Sequence, residues 1–479
     1  MDDIPDPEET MHQKGGDKPG LVPFQRFFAV FGYAAFWLAL IVGVLEGGSW
    51  LAWVLYHHLR SPGGNIGMKP DVPALQDILT HARGHDSSEL ASRSAEVWIE
   101  RMGGGTAYER WIDEMSASTA YDKSSWAEDF WTLERQRLAH WSYPYEPFRV
   151  WGMMRWQGKY VNDDQTEMGV LRRTVNAMNP ACTQHPPTRV WIFGGSTVWG
   201  VGTPDSATLA SELARQISAP GDACVEVTNF GVEAYVSNQE LIFLIQELKA
   251  GHRPDIVVFC DGLNDACVGG IGRSPGDHNY FLPIKTAFET GGSILATLRE
   301  KSDFFHLVRA LRRRLEPSLS ATSGPDDLSV PAKATLDNYE ANISIVRMLG
   351  EKYGFKTAFF WQPTLLYGKK PLDPFEQSIF DETALADGGK SAGAKSKTFR
   401  AIQAVYQEAE SRSAATGEFV FLGHIFDQVH EPIYIDWMHV GPRGNEMIAA
   451  AIATRLQLHV PTTQNSSAAD AREQARTLH

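Results

Sequence analysis

Five short apolar runs, each set apart by a stretch of helical period, constrain this chain more than any other feature. The runs are 189–193, 225–230, 255–260, 356–361 and 418–422, and the helical stretches lie around 206–218, 236–250, 335–352, 397–414 and 442–457. Short β-branched and aromatic runs read as buried strands. Strands alternating with helices build βαβ units around a parallel sheet. The expected fold class is therefore α/β, a flavodoxin-like three-layer α/β/α arrangement with a parallel sheet.

A parallel sheet of this kind presents its ligand at the carboxyl ends of its strands, so the residues after each run matter most. The first run ends in Gly194-Gly195-Ser196-Thr197, where glycines let the backbone turn and a hydroxyl follows. The second ends in Thr228-Asn229-Phe230-Gly231 and the third in Asp261-Gly262-Leu263-Asn264-Asp265. Past the last run come Asp436-Trp437-Met438-His439 and then Gly441-Pro442-Arg443. Residues three apart in a turn project to one side, so Asp436 can orient the ring of His439. An imidazole held in that way can take a proton from Ser196 and return it to a leaving group. Amide donors from Ser196, Gly231 and Asn264 would then meet an oxyanion. Trp361 and Gln362, at the end of the fourth run, are candidate walls of the cleft.

Taken together, Gly-Gly-Ser196, Asn-x-Gly231, Gly-x-Asn264-Asp and Asp436-x-x-His439 resemble the four blocks of the SGNH hydrolases, the GDSL-type esterase superfamily. The resemblance covers about 187–457 and is nearest to membrane-anchored bacterial members. It implies a nucleophilic Ser196, a triad completed by His439 and Asp436, an oxyanion hole of Ser196, Gly231 and Asn264, and chemistry without a cofactor or metal. One departure stands in the first block, where Gly195 replaces the usual aspartate and Thr197 the usual leucine.

Other chemistries fit the residues less well. An α/β-hydrolase elbow needs glycine at the position of Val198. A phosphate loop needs a lysine next to Gly200, and none is there. A glycosidase could draw its two carboxylates from Glu233, Asp261 and Asp265, although capping and turn formation account for all three. A formal charge of −14 argues against nucleic acid as a partner.

The 479 residues allow about three domain-sized units at roughly 150 each. Residues 1–26 read as a polar, acidic tail. Residues 27–45 carry no charge, and a run of this length can span a bilayer core, which takes about 20 residues. The expected layout places an anchor over 27–57, a Trp-rich helical region over 58–145, a hydrolase domain over 146–460 with an insertion at 268–334, and a tail over 461–479. Lys14, Lys18 and Arg26 before the span give a slight preference for a cytoplasmic N-terminus. Cys182 and Cys224 precede two successive strands, and the sequence leaves a bridge and free thiols equally open; Cys260 and Cys267 read as buried thiols.

The combined expectation is a single-pass bacterial inner-membrane protein with its catalytic domain in the periplasm or outside the cell. Its partner would be an acylated carbohydrate or other small ester, with the acyl group, an acetyl first, removed through an acyl-serine. An O-acyltransferase would use the same triad, and a non-catalytic polysaccharide assembly or binding protein is the alternative of another class.

Overall fold

The structure, a computed structural model, describes Val44 and residues 105–138, 140–141, 143–176, 186–218, 224–270, 274–279, 281, 284–285, 327–385 and 396–457. The expected tails, the anchor apart from Val44, residues 58–104 of the Trp-rich region, Cys182 and most of the insertion lie outside the described residues. The chain divides into two units, Met1–Val72 with Ile284–Ser323 and Pro73–Pro283 with Gly324–His479. The second unit carries the elements below.

Its described residues begin with helices α1 (Gly105–Ser116) and α2 (Ala127–Leu138), then short strands β1 (Tyr145–Glu146), β2 (Val150–Trp151), β3 (Trp156–Gln157), β4 (Asn162–Thr166) and β5 (Gly169–Arg172). Next come β6 (Thr188–Gly194), α3 (Ser196–Trp199), α4 (Leu209–Ser218), β7 (Val225–Gly231), α5 (Ser237–Ala250), β8 (Ile256–Asp261) and α6 (Leu263–Gly269). The unit ends with α7 (Ser329–Tyr353), β9 (Lys356–Trp361), α8 (Pro374–Leu385), α9 (Lys397–Thr416), β10 (Val420–Phe421) and α10 (Pro442–Gln457).

Five of the strands form one parallel sheet in the order β10-β9-β8-β6-β7. The order reverses between β6 and β8, and the crevice at such a switch point is where open α/β sheets hold ligands. Both strands end there in the sequences that carry Ser196 and Asn264.

Strand alternation gives the sheet two unlike faces. One is aliphatic: Val190, Ile192, Val227, Val258 and Cys260 are buried with Leu209 and Leu213 of α4 and Ile448 and Ile452 of α10. The other is aromatic. Phe230, Phe193, Phe259 and Phe359 stand at one register across β7, β6, β8 and β9. Their neighbouring rings are stacked with centroids 4.6, 5.1 and 5.6 Å apart, and Phe243 of α5 meets Phe230 edge-on at 5.1 Å. This ladder lies one residue below the glycines that end β6 and β7, so it supports the floor of the crevice.

Two antiparallel sheets, β1-β2 and β3-β4-β5, lie in a part of the chain where the apolar periodicity gave no strand signal. Cys224 is disulfide-bonded, whereas Cys260 and Cys267 are free. Among the described residues no helix is long and apolar enough to cross a membrane.

Candidate active site

The strand β6 stops at Gly194, and α3 begins two residues later with Ser196. Gly231 explains why the turn is so tight: a β-carbon there would lie 2.2 Å from the backbone nitrogen of Trp199. Further along α3, Trp199 is buried, with its indole N–H donating to Asp163 Oδ1 at 2.9 Å. The guanidinium groups of Arg172 and Arg137 lie over its ring at 4.4 and 4.9 Å. Burial pushes the Asp163 carboxyl up to about 6, against the pull of Arg172 and Arg137. Residues of β4, β5 and α2 thus pin the short helix that presents Ser196.

His439 arrives from the loop before α10. That loop is held by an isolated antiparallel bridge between Tyr434 and Val440, and Ile435 N–H donates to His439 O at 3.0 Å. The reverse turn sets Asp436 under the histidine. His439 Nε2 accepts from the Ser196 hydroxyl at 2.7 Å, across a sequence separation of 243 residues. His439 Nδ1–H donates to Asp436 Oδ2, also at 2.7 Å.

Asp436 is fully buried and His439 nearly so, at 0% and 3% exposure. A buried carboxylate needs donors, and Asp436 has four. Oδ1 accepts the backbone N–H groups of Met438 and His439 at 2.7 and 2.6 Å. Oδ2 accepts the His439 ring and the indole N–H of Trp111 at 2.9 Å. Burial alone would push the Asp436 carboxyl up; the His439 charge, its ring and these backbone donors outweigh it and hold the group below the usual carboxylate value. The acid is thereby kept ionised to face an imidazolium.

On the other wall, the Asn264 side-chain amide donates to Tyr235 O at 2.8 Å. One of its two hydrogens is so placed, and the same contact fixes the amide beside Gly195. Gly231 is positioned differently from expectation: its N–H donates to Asn229 Oδ1 at 2.8 Å, so that donor is spent inside the protein and the glycine serves close packing beneath α3. Asn229 in turn donates to Val198 O at 2.8 Å.

Trp361 and Gln362 do not wall a cleft. Trp361 is fully buried, with Tyr339 and Tyr406 edge-on at 5.0 and 5.7 Å. Gln362 is buried and donates through Nε2 to Thr197 Oγ1 at 3.2 Å. The three carboxylates considered for glycoside chemistry are also structural. Glu233 accepts from Tyr143 OH at 2.5 Å, Asp261 from Tyr339 OH at 2.6 Å, and Asp265 from Ser237 Oγ at 2.6 Å.

Sequence reasoning missed Trp111. The first described helix and the turn after it dock on the site: Ser118 Oγ donates to Tyr434 O in the histidine loop at 3.0 Å, and Tyr121 OH to Gly202 O, after α3, at 2.7 Å. The sequence reads this stretch only as part of a Trp-rich helical region, and nothing local in it signals a partner so distant in sequence.

No protein-family profile matches the chain, and no curated protein matches it. Solved structures similar to it include a lipolytic protein of the G-D-S-L family from Veillonella parvula, with 11% identity, covering 57% of this chain and 99% of that one, at a TM-score of 0.30. An acetylxylan esterase from Geobacillus stearothermophilus has 13% identity over 56% of this chain and 94% of its own, at a TM-score of 0.26. A carbohydrate acetylesterase from Sinorhizobium meliloti has 13% identity over 56% of this chain and 98% of its own, at a TM-score of 0.28.

Proposed function

We propose that this chain is a serine esterase of the SGNH type, and the unbroken run of contacts from Ser196 through His439 to Asp436, 2.7 Å at each step, carries the reading. His439 Nε2 takes the hydroxyl proton as Ser196 Oγ bonds to the ester carbonyl carbon. The carbonyl becomes an oxyanion, met by the Ser196 N–H and the second hydrogen of the Asn264 amide. His439 then gives the proton to the departing alcohol oxygen as its bond to carbon breaks, leaving an acyl-serine. Water repeats the sequence: its proton passes to His439, its oxygen bonds to the acyl carbon, and Ser196 regains a proton as the acid leaves.

The substrate in this reading is an acyl ester, acetyl first, on an envelope or exported carbohydrate, and the protein is held to the inner membrane with its catalytic unit on the far side. The SGNH-like blocks and the uncharged run 27–45 support that assignment. So does the disulfide at Cys224, which suits an oxidising compartment.

A serine-directed fluorophosphonate tests the reading. It should label the full-length protein and leave Ser196→Ala unlabelled, and His439→Ala should lose turnover of a chromogenic acetate ester. A folded wild-type protein that takes no label would overturn it.

A further inference from the structure

We propose that Trp111 is a positioning residue of the triad, so that helix α1, which belongs neither to the sheet nor to its covering helices, is part of the catalytic apparatus. This rests on the acyl-serine reading above and extends it to a residue 325 positions away from the acid it serves.

The geometry is specific. The indole N–H reaches the same carboxylate oxygen, Oδ2, that receives the histidine ring. The other oxygen, Oδ1, is already fixed by two backbone amides of the histidine turn. Those amides move with Asp436, because they belong to its own turn. Trp111 does not: it comes from a different part of the chain, and among the described residues it alone ties the Oδ2 side of the carboxylate to an external frame. The tryptophan ring also lies beside the histidine, with centroids 6.1 Å apart and planes inclined at 56°. One indole therefore fixes the plane of the acid and limits the swing of the imidazole.

The helix is itself anchored, which a positioning role requires. Ile112 and Met115 are buried on it. Beyond its end, Ser118 is bonded to Tyr434 O, Thr119 Oγ1 to Asp373 Oδ2 at 2.6 Å, and a β-carbon on Gly441 would lie 3.1 Å from Ala120 Cβ. These contacts bracket the 433–441 segment that carries both Asp436 and His439. Glu114, one turn after Trp111, feels the same acid: burial first, then the charges of Asp436 and Glu382, push its carboxyl up to about 7.

Among the described residues, losing the indole donor leaves Oδ2 with the histidine alone, and the cost falls on the step in which the imidazolium forms, not on ester binding. In full-length Trp111→Phe, kcat on a chromogenic acetate ester should fall about tenfold or more, the scale of one hydrogen bond to a charged group, with KM unchanged. The downfield proton resonance of His439 Nδ1–H should shift in the same variant. A benzothienyl analogue of tryptophan at position 111 keeps the ring and lacks the donor, so it should reproduce the kcat loss even if phenylalanine packs poorly. Wild-type rates and an unmoved resonance in the analogue would overturn the role of Trp111 while wild-type labelling at Ser196 stands. Absent labelling of the wild type would instead remove the reading on which it rests.

Discussion

Gly195 and Asn264 share one space: a β-carbon built on Gly195 would lie 2.4 Å from the Asn264 amide nitrogen. The glycine that follows β6 is therefore matched to the asparagine that follows β8. Any side chain at 195 must push the amide away from where an oxyanion forms. Gly195→Asp and Gly195→Ala are both expected to lower kcat/KM, acting through Asn264. Because the obstructed atom is the end of a side chain, Tm should change little. Asn264→Ala should slow turnover by about 100-fold or more, the scale of one oxyanion donor. If Gly195→Ala and Asn264→Ala each cost that much, the double variant should cost little more than either. Full additivity in kcat/KM would show that the two positions act separately.

Asp436→Asn tests the acid without emptying its site. The carboxylate accepts four N–H donors, and an amide of the same shape must turn its own NH2 toward two of them. If it faces the ring, His439 is driven to carry its proton on Nε2, where it cannot accept from Ser196. A fall of about four orders of magnitude in kcat is expected, the loss seen when a triad acid fixes the wrong tautomer. Titrated fluorophosphonate labelling should slow in parallel. A loss of only a few-fold would show that the backbone turn, not the carboxylate, sets the ring.

Phe193 lies at the centre of the aromatic ladder, fully buried between Phe230 and Phe259. Phe193→Ala should cost about 3–5 kcal/mol of stability, since a cavity in a ladder of rigid rings cannot close by small shifts. Chemical denaturation would read this as a lower midpoint at an unchanged slope. A much smaller loss would mean that Phe243 swings into the gap.

The sheet was legible because its strands are buried on both faces and read as continuous apolar runs. The run 356–361 coincides with β9, and 225–230 falls one residue short of β7. Helix α7 begins at Ser329, six residues before its predicted start, with Pro331 in its first turn where a missing N–H costs nothing. The hairpin β4-β5 left no trace because Asn162–Thr166 is polar throughout; its fixed points are Asn162 bonded to Asp205 and Asp163 bonded to Trp199. Ser196, Asp436 and His439 were visible as strand-end residues with local spacing. Trp111 was not, because its partner lies on a loop fixed only by the tertiary fold. The engagement of Gly231 N–H by Asn229 was equally hidden, since a motif shows which amide is present and not which acceptor reaches it first.

Behind the Asn264 wall, Asp261, Asp265 and Glu240 are buried together, and the pH dependence of stability should report them. Burial pushes the Asp261 carboxyl up to about 7, against the pull of a hydrogen bond with Glu240 and with the Asp265 charge adding to it, and burial raises Asp265 to about 6 and Glu240 as well. The folded chain therefore holds these protons more tightly than the unfolded chain, where the aspartates keep the ordinary value of 3.8. Stability is full below that value and declines as pH rises toward about 7, because ionisation is then favoured by unfolding. Asp261→Asn retains an acceptor for Tyr339 OH and offers an N–H to Glu240. Its Tm should fall less than that of the wild type between about pH 4 and pH 7, with the two proteins closest at the acid end. Parallel Tm curves would show that Asp261 is ionised throughout and that another group carries the proton.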